Sequence, residues 1–366
     1  MPTMPTMPTT PATRVQQSLF QLAALIVIVA GMKLASEIVV PFFLAIFIAV
    51  VAGGPIGWLE QRKVPLWLAI LLVLSALVVA FAGLGALIGQ SVTQFLAQLD
   101  FYQHRVAELS HAALRLLSRI GVHFDGGALA DYLNPGEIMQ LVGATLRGFG
   151  GVLSNGFLIL LTVVFMLLEA ASFPQKLRQT LRDPEHSLPH FERFTSTVNR
   201  YMAIKTSISL VMGVIVALLL MLLGVDFPLL WGLLTFLLNY VPNIGGIIAA
   251  VPPVLLALIQ LGTGTALIAA GGILAVHMVL GNWLEPRYMG HGLGLSTLVV
   301  FLSLVFWGWV LGPVGMLLSV PLTMTVKIAL EVNPSTHWLA VLLGEPDEDV
   351  EPVSPPATNA THDGQE

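Results

Sequence analysis

Between Phe227 and Leu284 the chain runs for 58 residues without a formally charged side chain, and between Tyr288 and Val326 for another 39. A water-soluble surface cannot be built over segments written this way. At roughly 1.5 Å per helical residue, 58 residues reach about 87 Å, against a hydrocarbon core about 30 Å thick. The first run must therefore turn back or cross a bilayer more than once. Five shorter uncharged runs, Val15 to Met32, Ile38 to Leu59, Val64 to Leu99, Gly148 to Leu168 and Thr206 to Val225, are each long enough to cross. Only 10% of the 366 residues are charged, where soluble chains carry about 25%. Lipid offers backbone groups no partner, so the spans must be helices, broken only where protein or a water-filled cavity lines the break. The fold class that follows is an all-α polytopic membrane protein. It has about eight transmembrane helices, two broken or re-entrant helical segments and a small helical extracytoplasmic insertion.

Charge placement orders these spans. Arg14 precedes the first, Arg62 and Lys63 follow the second, and Lys176, Arg178, Arg182, Arg193, Arg200 and Lys205 lie between the fourth and fifth. All three clusters fall on one side if the spans alternate, and positive charge favours the cytoplasm. Both termini are then cytoplasmic in a bacterial inner membrane. The expected divisions are a disordered Pro/Thr-rich start over 1–14, spans one to three over 15–91, and an extracytoplasmic helical insertion over 92–147. They continue with the fourth span over 148–169, a cytoplasmic amphipathic helix over 170–205, the remaining spans with their breaks over 206–331, and an acidic tail over 332–366. The tail holds seven Asp and Glu between Glu345 and Glu366 and contributes most of the net charge of −5.

The outer loop carries Phe95, Leu99, Tyr102, Val106, Leu109, Ala113, Leu116 and Ile120, which step by four and three as a heptad seam does. That seam packs either on a neighbouring helix of the same chain or on another subunit. Asn134-Pro135-Gly136-Glu137 starts a further helix, with Asn134 as N-cap. On the inner side Phe191, Phe194, Val198 and Tyr201 form a stripe suited to the membrane interface.

The two longest runs are interrupted alike. From Leu229 the first reads LLWGLLTFLLNYVPNIGGIIAAVPPVLLALI, and from Val305 the second reads VFWGWVLGPVGMLLSVPLTMTV. Each has Trp-Gly, then Pro and Gly close together, then Val-Pro, a loose match that suggests an internal repeat. Proline removes a donor and blocks the preceding turn. Interrupted helices of this kind expose helix ends and carbonyls in mid-membrane, where transporters bind substrate or ions; the alternative is a kink satisfied by neighbouring helices. As re-entrant hairpins the two would enter from opposite sides.

At these residues the sequence resembles the autoinducer-2 exporter family of bacterial membrane proteins, which includes permeases of unassigned substrate and members reported as sodium/proton antiporters. The resemblance runs from about Arg14 to Glu331. It is strongest in FLLNYVPNIGGIIAAVPPVLLALI and in the stretch from GNWLEPRYMGHGLGLS to VPLTMTVKIALE, and weaker over Arg200 to Ser207. It marks Asn239, Tyr240, Pro242, Asn243, Gly245 and Gly246 in the first break, Gly281, Asn282, Glu285, Pro286 and Gly290 in the connecting loop, and Gly312, Pro313, Gly315 and Pro321 in the second break. Thr297 departs from it, standing after Ser296 where the family often has Pro. The resemblance implies an exporter-like homo-oligomer, pentameric in its suggested form, that moves a hairpin-bearing unit in an elevator-like way.

Read on their own chemistry, Asn239 and Asn243 bring amides into a hydrocarbon run, where an unpaired polar group costs several kcal/mol. They need either a hydrogen-bonding solute or a neighbouring helix. Glu285 and Arg287 flank Pro286 and together with Asn282 make a gating or coupling group, or an ion pair that merely fixes a loop. His277 stands in an apolar run, as a proton carrier or a hydrogen-bonded structural residue. The chain has no cysteine, no HExxH and no Gly-rich phosphate loop, so neither catalysis nor a metal or other cofactor is expected, nor a nucleic-acid partner. The function expected is a secondary transporter exporting a small polar solute, with cation/proton antiport and a non-transporting membrane scaffold as alternatives. Replacing Pro242 or Gly245 with Leu should abolish flux and spare assembly.

Overall fold

The computed structural model describes residues 11–119, 156–170, 176, 184–242, 244–289, 294–332 and 336–344. Among them every regular element is helical. Residues 1–10, the helix start at Asn134, Asn243, Gly290 and the acidic tail beyond Gly344 lie outside the described residues.

The apolar runs become helices with shifted ends. Helix α1 (Pro11–Leu34) begins ahead of the Val15 boundary expected from the charge pattern, and is followed by α2 (Ser36–Gln61) and α3 (Leu66–Ala97). Between α2 and α3 the chain turns at Lys63, whose φ is 65°. Helix α4 (Leu99–Arg119) continues beyond a break at Gln98, and α5 is Gly156–Ala170. The heptad seam therefore crosses from α3 into α4 rather than lying on one helix. Its first half packs inside the same chain: Phe95, Tyr102 and Val106 are buried with Val216, Leu220, Leu230 and Trp231.

Helix α6 (Pro184–Leu223) is a continuous rod of 40 residues, about 60 Å long. It joins what the charge pattern separates, the basic connector and the fifth span. The stripe assigned to the interface is not there at its last position. Tyr201 is only 6% exposed, packed with Leu295, Val320 and Met324, and Val198 lies against the same cluster. Phe191 and Phe194 have no described side chains.

Both interrupted runs fold back on themselves. The first gives α7 (Pro228–Leu238) and α8 (Gly245–Leu261), about 16 Å and 25 Å long and so both shorter than a hydrocarbon core. Their far ends meet, because the Asp226 backbone N–H donates to Gln260 Oε1 at 3.1 Å. The segment 239–244 is thus the tip of an antiparallel hairpin. At Gly245 a Cβ would collide with the Leu238 carbonyl, which is how closely the arms are drawn together.

The second run, α11 (Thr297–Val332), would be long enough to span as one rod, but it reverses at Gly312, whose φ of 69° and ψ of −152° interrupt the helix. A straight helix would hold Ser303 and Thr323 about 30 Å apart. Instead Thr323 Oγ1 donates to Ser303 Oγ at 2.7 Å, and Trp307 Nε1 donates to Thr323 Oγ1 at 2.9 Å. A Cβ on Gly315 would strike the Trp307 carbonyl, the counterpart of the Gly245 contact. Residues 297–311 and 313–332 are the two arms.

Between the hairpins run α9 (Thr263–Val276), a π-helix π1 (His277–Leu284) and α10 (Glu285–Met289). This connector leaves the open end of the first hairpin and, long enough to cross a bilayer, delivers the chain to the open end of the second. The two hairpins consequently point in opposite directions. A last short helix, α12 (His337–Leu343), returns to the second hairpin through a Ser296 N–H to Leu343 carbonyl bond of 3.1 Å.

Candidate functional site

A cavity of about 670 Å³ opens where the first hairpin tip meets α6, π1 and the second hairpin. Most of its wall is aliphatic, from Ile247, Val251, Val254, Leu274 and Val300 among others, and its polar groups are Tyr201, Lys205, Asn239, His277, Asn282 and Glu285.

Each polar group has an identifiable local cause. Lys205 and Tyr201 stand one helical turn apart on α6 and so share a face. Lys205 Nζ donates to Glu285 Oε1 at 2.5 Å, with the two side chains only 8% and 14% exposed. Asn239, the first residue of the tip, donates from Nδ2 to Ser209 Oγ of α6 at 2.8 Å. The next residue, Tyr240, donates to Thr206 Oγ1 at 2.7 Å and meets the Phe47 ring edge-on. The tip is thereby tied to one face of α6.

His277 begins π1 and sits against Gly246. A Cβ on Gly246 would lie 2.7 Å from His277 Nδ1, so only glycine leaves room for the imidazole. Its Nε2 is buried without a hydrogen-bond partner. Among the described residues no three His, Cys, Asp or Glu side chains converge that could hold a metal ion.

Of the candidate site residues singled out in the sequence, Asn239, Pro242, Gly246, His277, Gly281, Asn282 and Glu285 line this cavity. Tyr240 and Gly245 build the tip without being among the lining residues, and Asn243 lies outside the described residues. The second break does not join them. Gly312, Pro313, Gly315 and Pro321 shape the other hairpin, whose tip packs through Trp307, Val310 and Leu311 on α1 and α2, with Lys33 Nζ 3.6 Å from the Trp309 ring centroid. The expected pairing of Glu285 with Arg287 is corrected: Arg287 lies over the Trp283 ring at 4.2 Å, and Glu285 takes Lys205. Residues two apart on a helix point to different sides, so their adjacency in sequence carried no contact. Lys205 and Tyr201 were missed as site residues. The signals for them were the weaker family resemblance over Arg200 to Ser207 and an uncharged run that starts immediately after Lys205, leaving one ammonium at the mouth of a span.

An all-helical, multi-pass chain with two opposed hairpins and a part-polar cavity at one tip has the build of a membrane transport protein. The comparisons agree. The family model for AI-2E family transporters matches residues 22–334, and the chain belongs to that family. It is 43% identical over 324 residues to the AI-2 transport protein TqsA of Escherichia coli (strain K12), covering 88% of this chain and 94% of that protein. It is also 43% identical over 338 residues to a putative transport protein of Haemophilus influenzae, covering 91% and 97%. At greater distance it is 24% identical over 309 residues to the putative transport protein YrrI of Bacillus subtilis, covering 80% and 86%.

Proposed function

We propose that the chain is a secondary transporter that exports a small, polar, uncharged solute from the cytoplasm, and that the cavity at the first hairpin tip is where the solute binds. The observation that carries this is the place of the cavity. It lies where the interrupted helix and α6 bring Lys205, Asn239, His277 and Glu285 to one hollow, and interrupted helices of this kind present such groups to solute or ions in mid-membrane. Its size suits a molecule of metabolite scale. Lys205 and Glu285 neutralise each other, leaving amide, imidazole and hydroxyl chemistry to orient the solute. The relative named for AI-2 transport makes autoinducer-2 the first solute to test.

In this reading the protein sits in a bacterial inner membrane as a homo-oligomer with both termini cytoplasmic and the 92–147 insertion outside. The first hairpin rides against α6 in an elevator-like movement. A second reading is cation/proton antiport, favoured by the buried carboxylate of Glu285 in the cavity wall, since ionisable groups inside a membrane commonly carry protons. Reconstitution decides between them: labelled autoinducer-2 flux in proteoliposomes supports export, a sodium-dependent pH change without solute flux supports antiport, and neither supports a scaffold.

A further inference from the structure

The connector between the hairpins is wound as a π-helix over eight residues at the cavity, in a class of element that is rare, mostly limited to single turns and frequent at functional sites. Its effect on side-chain direction is specific. In an α-helix, at about 100° per residue, Asn282 would stand about 140° round from His277. The i→i+5 bonding of a π-helix, about 82° per residue, brings the two within about 50°. Accordingly His277, Gly281, Asn282 and Glu285 all line the cavity.

One group on this face is unfinished. His277 Nε2 is enclosed and has no partner, although leaving a buried nitrogen unpaired is costly. The imidazole is seated over Gly246 at the hairpin tip, the nearest approach being at Nδ1. Lys205 and Glu285 pair with each other at 2.5 Å, and neither is a hydrogen-bond partner of Nε2.

We propose that this π-helical face is the solute-reading element of the cavity, with the His277 imidazole turning to offer Nε2 to one hydroxyl of a neutral solute and Asn282 taking a second polar group. A hydroxyl fits because it both donates and accepts, and so meets either imidazole tautomer. The proposal rests on the transport reading for placing a solute here, and adds which residues recognise it. A buried water would satisfy Nε2 equally well, but then no solute would depend on His277.

The test uses the purified full-length protein, with autoinducer-2, D-ribose and glycerol as probes. Binding is read from the thermal transition of tryptophan fluorescence. At least one probe should stabilise the wild type, and H277L should weaken its binding roughly ten-fold or more. N282A should act in the same direction. H277Q, which keeps a donor and an acceptor, should lose less than H277L, and it decides the matter with N282A if H277L does not fold. The proposal is overturned if no probe stabilises the wild type, or if H277L and N282A both bind within about two-fold of it. A probe that needs His277 to bind yet is not carried into proteoliposomes defeats the transport reading and leaves this one standing. A probe that is carried, and bound equally by H277L, does the opposite.

Discussion

Lys205 and Glu285 are 80 positions apart in sequence and 2.5 Å apart in the fold. Removing one partner of a buried pair leaves a charge with no compensation, at a cost of about 3–5 kcal/mol, whereas replacing both with apolar residues is often neutral. Lys205→Ala should therefore lower the thermal transition by well over the shift seen for Lys205→Met with Glu285→Leu together. A scan of the four proteins, with the two singles and the double, checks it; equal losses in all variants would mean that the pair contributes little. Gly246 gives a milder case. A methyl there meets the imidazole rather than backbone, and the imidazole can swing aside. Gly246→Ala should keep stability within about 1 kcal/mol, as substitutions without a cavity or stranded charge do, while cutting flux several-fold by moving His277. The Asn239 amide was legible from sequence because Asn in a hydrocarbon run asks for a partner, and Ser209 supplies it. Lys205 was not, because a cluster of six basic residues reads as an orientation signal and only the fold sets one of them apart. Glu285 and Arg287 misled in the same way, by adjacency.

At the level of elements, the Pro and Gly interruptions marked two breaks, and the helices are interrupted at both. What they left open was whether each run spans or returns, and this is settled by contacts far apart in sequence: Asp226 with Gln260 in one hairpin, Ser303 with Thr323 in the other. The two tips are built differently. Gly312 turns the chain through a left-handed φ of 69°, a region open to glycine and strained for a branched side chain. Gly312→Val should accordingly destabilise the second hairpin by about 1–3 kcal/mol, seen as a lower thermal transition and poorer recovery from membranes. For the first tip the expectation that Gly245→Leu spares assembly no longer holds, since any Cβ there strikes the Leu238 carbonyl. Pro242→Leu is the cleaner variant, predicted to abolish flux while eluting as the wild type does. The π-helix had no signature in sequence. In sequence His277 to Leu280 read as apolar helix and Gly281 and Asn282 as part of a connecting loop, whereas the structure winds all of HMVLGNWL as helix.

Across the whole molecule, two sets of bonds fix the first hairpin, and they make opposite demands on any motion. At the open end everything converges on Asp226. Tyr102 of α4 donates to its carboxylate at 2.8 Å, the Gln260 amide donates to it, and Trp231 Nε1 donates to its carbonyl at 2.9 Å. Burial and then the Asp226 carboxylate push the Tyr102 hydroxyl well above the usual phenol range, so it stays a donor at any working pH. This clamp joins α4 to both arms, and α4 must travel with the hairpin if the hairpin travels. At the tip, by contrast, Asn239 holds Ser209 and Tyr240 holds Thr206, and these bonds tie the moving candidate to α6. An elevator-like displacement has to break the second set and keep the first. The chain has no cysteine, so an introduced pair is the sole disulfide. Asn239→Cys with Ser209→Cys, oxidised, should stop flux in proteoliposomes and regain it on reduction, because it welds the contact that must part. If the tip weld transports as well as the reduced protein, the hairpin does not slide on α6, and solute must pass through a cavity whose walls stay in place.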